Sequence, residues 1–414
     1  SSDVCSSDLA VLDSQEALPM LWRASLSDDA NERQQFIAAA EHCHAHNVRF
    51  PNSLDEVQML QSLGDSAFAR YLLGCFWYSK RRYDEAVSCW RETLEKSPDY
   101  APAHRLLGVY SWNKQQDATQ ALAYLQRAVA LEPENARFLF ELDFLQKLLA
   151  RSVHERLTTL VERKAVVLKR DDLTAELLSL WNASGHYADA AAILDTRVFH
   201  PWEGGEGKIT GQYLLNQLHR ALQFIERGAF KQATDCLKAA LRYPDNLGEG
   251  RLLGQTDNDI WYLLGYCAEQ AGDAQQAAEY YQLARQGGST LDAGRYYNDQ
   301  PADYLFWQGI ALRKSGNPAQ AEQHFRHFID WAAQHRDDVP QVDFFAVSLP
   351  DLVVLDVSAQ QRHQQHCLFI EALGHLGLGN VSACQQRMQQ LLQINPAHDK
   401  AHLIRHALQS GIFS

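Results

Sequence analysis

Between Phe199 and Tyr213 the chain reads FHPWEGGEGKITGQY, the stretch in which residue types and spacing come closest to chemistry. Trp202 offers a flat apolar face, while His200, Glu203 and Glu206 offer polar groups. Gly204, Gly205 and Gly207 let the backbone take positive φ or pass close to another surface. Such a mixture suits a pyranose ring, which stacks on an aromatic and hydrogen-bonds sideways to carboxylates. It suits equally a connector tucked against adjacent helices, or a loop pinned against a neighbouring domain. Glycoside hydrolysis would need two carboxyls facing each other at roughly 5–10 Å. Glu203, Glu206 and Glu249 are the acids in suitably unusual loops, and sequence does not show any two of them converging. GEG is not a phosphate loop, because the G-x-x-x-x-G-K-[ST] spacing is absent and acidic residues repel phosphate.

Elsewhere the titratable residues argue against a metal. His42 and His46 stand one turn apart without a second ligand pair, and a helix C-terminus welcomes His for its dipole alone. The pairs His324/His327 and His363/His366 lie three apart on amphipathic helices and read as solvated or capping. Eight cysteines contain no C-x-x-C and fall largely at small-residue positions, which is thiol packing in a reducing setting and predicts a cytoplasmic location, with an upstream signal peptide left open. No nucleophile–base pairing, metal quartet or phosphate loop appears. We therefore expect no cofactor, and no enzyme in this stretch of chain by itself.

The elements that must position these loops are written as a repeat. Leu73-Gly74, Ala86, Trp90, Thr93 and Pro98 are answered by Leu107-Gly108, Ala121, Leu125, Ala128 and Pro133. Small residues stand where two antiparallel helices come close, and Trp90 and Leu125 fill the space between. The spacing resembles the tetratricopeptide repeat, with its period of about 34 residues. A Gly followed five residues later by a small residue returns as Gly185/Ala190, Gly228/Ala233, Gly272/Ala277, Gly316/Ala321 and Gly379/Cys384, which makes seven hairpins in register. The fold predicted is all-α, a tetratricopeptide-like right-handed solenoid of antiparallel helix pairs. It runs over 66–414, with irregular inserts at 195–213, 243–258 and 339–357. Residues 10–65 form a helical lead-in, with Ser27 or Asp28 capping its second helix and Ser53 with Glu56 at capping-box spacing for its third. The inner face of the first helices would carry Tyr71, Tyr78, Trp112, Tyr262, Tyr266 and Phe306. This groove is aromatic and lacks the Asn and Lys of a carboxylate clamp; it reads either as core packing or as a partner-binding surface.

Composition bounds the partners. At 414 residues, 46% hydrophobic and 21% charged, the chain is globular, and its net charge of −13 opposes a surface that tracks nucleic-acid phosphates. No apolar run approaches the roughly 18–20 residues of a membrane span. The opening SSDVCSSDL resembles adapter sequence translated at the edge of an assembled gene model. We read residues 1–9 as a non-native or disordered tail, and Ala10 onward as the remainder of a longer protein.

A wider resemblance rests on Phe199-His200-Pro201-Trp202-Glu203-Gly204-Gly205-Glu206-Gly207, Gln212-Tyr213, Asn246-Leu247-Gly248-Glu249-Gly250 and Phe345-Ala346-Val347-Ser348-Leu349-Pro350-Asp351. Together with the repeats these resemble the C-terminal half of a bacterial family of large proteins of unknown function, whose N-terminal part is β-rich and looks like carbohydrate-binding sandwiches. The resemblance implies an architecture and a leaning towards sugars, and supplies no catalytic residue. The expectation that follows is a protein-interaction scaffold docking its own upstream domain. The alternative is a sugar-binding or carbohydrate-active protein in which the 199–213 loop joins the ligand site.

Overall fold

The computed structural model describes residues 16–46, 49–293, 299–340 and 354–413, and among these there is helix and loop but no strand. Of the expected 339–357 insert, residues 341–353 lie outside the described set. Two compact units meet at Phe138 and Leu139.

The first unit holds α1 (Ala17–Leu26), α2 (Ala30–His46), α3 (Leu54–Ser62), α4 (Ala67–Ser79), α5 (Tyr83–Lys96), α6 (Ala101–Tyr110) and α7 (Ala118–Leu131). The lead-in is no separate body, since Leu21, Leu60, Leu72 and Trp90 share one core. Ser53 and Glu56 close the expected capping box, Ser53 Oγ accepting from the Glu56 N–H while Glu56 accepts from Ser53 and Asn52. At α2 the cap is Asp29 rather than Ser27 or Asp28: its carboxylate accepts from the N–H groups of Asn31 and Glu32 at 2.8 and 3.3 Å, the reach of a residue immediately before the first turn.

The repeat works as its spacing predicts. A Cβ on Gly74 would lie 2.4 Å from Trp90, and one on Gly108 would lie 2.9 Å from Leu125, so the bulky residue of each second helix nests on the glycine of the first. Between these two copies the second is one residue longer, Gly108 to Ala121 against Gly74 to Ala86. A single π turn at Ser111–Gln115 absorbs the extra residue, with Gln116 left-handed behind it, and Leu125 stays in register.

The second unit takes up α8 (Ala136–Leu148), whose first turn straddles the division, followed by α9 (Val153–Glu162), α10 (Lys164–Val167), α11 (Asp171–Ser184), α12 (Tyr187–Leu194), α13 (Lys208–Glu226) and α14 (Phe230–Ala240). It continues through α15 (Asn258–Gln270), α16 (Ala274–Ala284), α17 (Tyr304–Lys314), α18 (Pro318–His335), α19 (Ala359–Gly377), α20 (Val381–Ile394) and α21 (Asp399–Gln409). The same nesting recurs. Tyr281 sits on Gly265, and Phe325 is held between Gly309 of α17 and Gly377 of α19. First helices of successive pairs also touch, α11 with α13, α15 with α17 and α17 with α19. The last helix breaks the series by turning back to pack on α11 and α13.

Candidate binding cleft

Two of the stretches singled out in the sequence form one body in the second unit. Asp171, at the start of α11, receives Arg197 Nη2 at 2.6 Å and the His200 N–H at 2.9 Å. Burial alone would raise this carboxyl, but those two partners outweigh it and hold it below the usual carboxylate range. Asn246 Nδ2 donates to the carbonyls of Leu194 and Arg197 at 2.8 and 2.7 Å, and its own carbonyl accepts from Phe199 N–H at 2.8 Å. Gly248, at φ +80°, lies so close to this strut that a Cβ would stand 2.5 Å from the Phe199 carbonyl oxygen. From there Glu249 accepts from the Gly207 N–H at 2.9 Å and from Thr210 Oγ1 at 3.3 Å, placing its carboxylate on the N-terminus of α13. That end of the helix dipole attracts negative charge.

This arrangement corrects part of the loop reading. Residues 208–213 are helix, not insert, because Gly207, left-handed at φ 72°, starts α13 there. Trp202 closes over Gly205, where a Cβ would fall 2.0 Å from the indole. His200 lies on the surface, its side chain 80% exposed with Nδ1 3.5 Å from Asp171, and Glu203 is exposed as well. Tyr213 is buried, its hydroxyl donating to the Ala239 carbonyl at 3.2 Å. Of the six candidate loop residues, Glu206 and Glu249 alone line the cleft that opens next to them.

That cleft encloses about 720 Å³ and is walled by the C-terminal end of α8, by α11, the first half of α13, the 243–255 loop and the N-terminal ends of α17 and α21. Its charges are largely matched in place. Lys147 Nζ donates to both oxygens of Glu176 at 2.8 and 3.0 Å, and buried Arg156 reaches the same carboxylate at 2.9 Å. Burial works against ionised Glu176, but Lys147 and Arg156 prevail and draw it down to about 2. Behind them, Arg156 grips Asp143 with two N–H groups at 2.9 and 2.6 Å, both side chains being almost fully buried. Asp399 accepts from Ser179 Oγ and Gln212 Nε2, each at 2.8 Å. Lys400 lies 3.2 Å from Asp303 and 3.8 Å from Asp259. Two glycines finish the lining. A Cβ on Gly211 or Gly250 would meet no heavy atom within 4 Å, so both bare main chain to the open space.

The expected aromatic groove is not exposed. Tyr71 is buried in the first unit against Tyr100, with Tyr78 half-buried over Trp90 and Trp112 half-buried in the π turn. In the second unit Tyr262 and Phe306 are 2% and 0% exposed because the C-terminus covers them. The Tyr262 hydroxyl donates to the Ile412 carbonyl at 3.2 Å, and the Phe413 ring packs on Phe306 and Trp307. Tyr266 stays half-buried at the edge of that core. Of the two histidine pairs His327 alone is exposed; His324, His363 and His366 each hold a main-chain carbonyl, of Leu305, His335 and Leu291, at 2.6–2.8 Å. His324 and His363 tie one helix to the next, and His366 ties α19 to the loop at Leu291. Thiols follow the packing reading, burial pushing Cys75 up to about 12 and Cys89 to about 11.

Sequence reasoning missed the matched charges of Lys147, Glu176 and Arg156, the bare Gly211 and the returning C-terminus. A signal for the last was present in His398, His402 and His406, spaced by four from the cap of α21 into its body.

A family model described as tetratricopeptide repeat matches residues 77–136 and 218–292. Among solved structures, the chain is 13% identical to YrrB, described as a tetratricopeptide-repeat protein with an unusual peptide-binding site, over 55% of this chain and 90% of that one, at a TM-score of 0.29. To a chain of Naa15/Naa10 bound to HypK-THB it is 13% identical over 96% of its length, spanning 62% of that chain at a TM-score of 0.38. To the apo quorum sensor NprR from B. thuringiensis it is 12% identical, covering 91% and 97% of the two chains at a TM-score of 0.33. Helix pairs of the tetratricopeptide type thus recur in both units of this chain, in 77–136 and again in 218–292.

Proposed function

We propose that the chain is a non-catalytic protein-interaction scaffold, and that the cleft beside α13 receives an extended segment of a protein partner. The observation that supports this most directly is bare main chain at Gly211 and Gly250. Elsewhere in the repeat a helical glycine is covered by a bulky side chain, as Gly108 is by Leu125 and Gly265 by Tyr281, whereas Gly211 of α13 and the loop residue Gly250 face space. Gly is the residue that lets another chain approach backbone closely. The lining carries Glu176, Glu206, Glu249, Asp259 and Asp399 against Lys147, Lys208 and Lys400, with Lys147 already bound to Glu176, a polar and mildly acidic surface suited to peptide amides more than to phosphates. The partner favoured by the sequence is the domain expected upstream on the same polypeptide. A sugar is the weaker reading, because Trp202, its natural stacking platform, lies outside the cleft lining and spends a face on Gly205.

Gly211→Phe gives the test, since it plugs the cleft without a backbone clash and favours helix. Extended peptides selected from a random library against the native chain should lose binding at least about tenfold in Gly211→Phe, with circular dichroism unchanged. The upstream domain, added in trans, should displace them. Peptides indifferent to the plug, or saturable binding of oligosaccharides in their place, would overturn the proposal.

A further inference from the structure

The C-terminal helix is capped, braced and joined to α13 by histidines that cannot all be protonated without losing these bonds. His398 caps α21, its Nδ1 accepting the Ala401 N–H at 3.2 Å. His402 uses both ring nitrogens: Nε2 lies 2.7 Å from the Pro396 carbonyl oxygen and donates there, so Nδ1, 3.0 Å from Arg405 Nη2, accepts from a permanent cation. One turn on, His406 Nδ1 lies 2.9 Å from His219 Nδ1 of α13. Two Nδ1 atoms at that distance share one proton. A second would set two N–H groups against each other. Tyr187 of α12 stacks on His219 at 4.7 Å and on His406 at 5.7 Å, closing the site from the third side.

We propose that α21 is an acid-released latch, in which protonation of His398, His402, His406 and His219 undocks the C-terminal helix from α11 and α13 and uncovers Tyr262, Phe306 and Trp307. The groups around the stripe have been weighed. Glu226 lies 3.3 Å from His406 Nε2 and favours its charge, as Asp399 and Asp303 do for His398. Burial outweighs them. It lowers His406, lowers His219 with help from His406 and His402, lowers His402 with help from Arg405, and takes His398 down to about 4. A released imidazole titrates near 6.5. The docked helix therefore binds fewer protons than the free one. Docking is complete above about pH 6.5 and weakens below it, by about tenfold per pH unit for each histidine, until the docked values are reached.

Hydrogen–deuterium exchange on the full chain tests this, with rates corrected for intrinsic pH dependence. Between pH 7.5 and 5.5, protection of α21 and of residues 410–413 should fall at least about tenfold, while α14, α16 and α18 hold theirs. In His402→Gln/His406→Gln, whose amides bond but do not titrate, the fall should shrink. Should that pair fail to dock at pH 7.5, His398→Asn keeps an N-cap and must still lessen the fall. Unchanged protection of α21, a loss spread evenly over α11–α20, or a variant that falls as far as the native chain would each overturn the latch. The measurement is made on the chain alone, so its outcome is read separately from whether the cleft takes a peptide.

Discussion

Arg156→Met should destabilise the second unit in a way that depends on pH. The substitution keeps most of the side-chain volume in α9 and leaves Asp143, 2% exposed, without the two N–H groups that now hold it. Removing one partner of a buried ion pair costs about 3–5 kcal/mol near neutral pH. Part of that penalty can be escaped, because burial drives a partnerless carboxyl to take up a proton. The folded chain would then carry a proton that the unfolded chain releases above about pH 4, so stability falls by about 1.4 kcal/mol for each pH unit above that, up to the new native pKa. The penalty at pH 5 should accordingly be smaller than at pH 7 by as much as about 2.7 kcal/mol. Urea unfolding at the two pH values measures the difference, and exchange in α9 and α11 localises it. Asp143→Leu with Arg156→Met should recover most of the loss, since an apolar pair of similar volume often matches a buried salt bridge. A single variant within about 1 kcal/mol of native at pH 7, or a penalty that does not shrink at pH 5, would refute the reasoning.

Other substitutions probe the repeat and the loops. Gly309→Ala should gain about 1 kcal/mol of helix propensity yet lose about 1–3 kcal/mol to overpacking, because its Cβ would stand 2.6 Å from Phe325, which Gly377 blocks on the far side. A raised melting temperature would contradict this. Asn246→Ala orphans the carbonyls of Leu194 and Arg197 and should cost about 1–3 kcal/mol, with faster exchange through 195–207 as its signature. Glu249→Gln weakens the anion at the α13 N-terminus by about 0.3–1 kcal/mol, and the deficit should narrow as salt is raised.

What could be read from the sequence was what the chain decides locally. Gly74 with Trp90, and Gly309 with Phe325, are pairs set by hairpin geometry, so spacing alone exposed them. Glycine at the hairpin turns was equally legible, Gly272 and Gly316 both being left-handed as a helix stop requires. The site was legible only as two separate unusual loops. That Phe199 bonds Asn246 depends on how the loops after α12 and α14 come together, which no local pattern states. Periodicity marked Tyr262 and Phe306 as apolar positions of first helices but could not say what covers them. Gly211 and Gly265 look alike in a string of letters; one is filled by a ring and the other is open.

Stacked repeats ordinarily behave as one-dimensional chains: each pair leans only on its neighbours, stability sums along the array, and the ends fray. The returning helix removes that freedom from the second unit. Asp399 meets Ser179 across 220 positions, and Ile412 meets Tyr262 across 150. Closing so long a loop costs chain entropy that grows only slowly with length, but it cannot happen until the intervening pairs are stacked. The unit should therefore complete itself late and slowly, as chains with distant contacts do. Once closed, α11 can no longer peel away without breaking contacts to α21, and the array melts as a block instead of unravelling from its end.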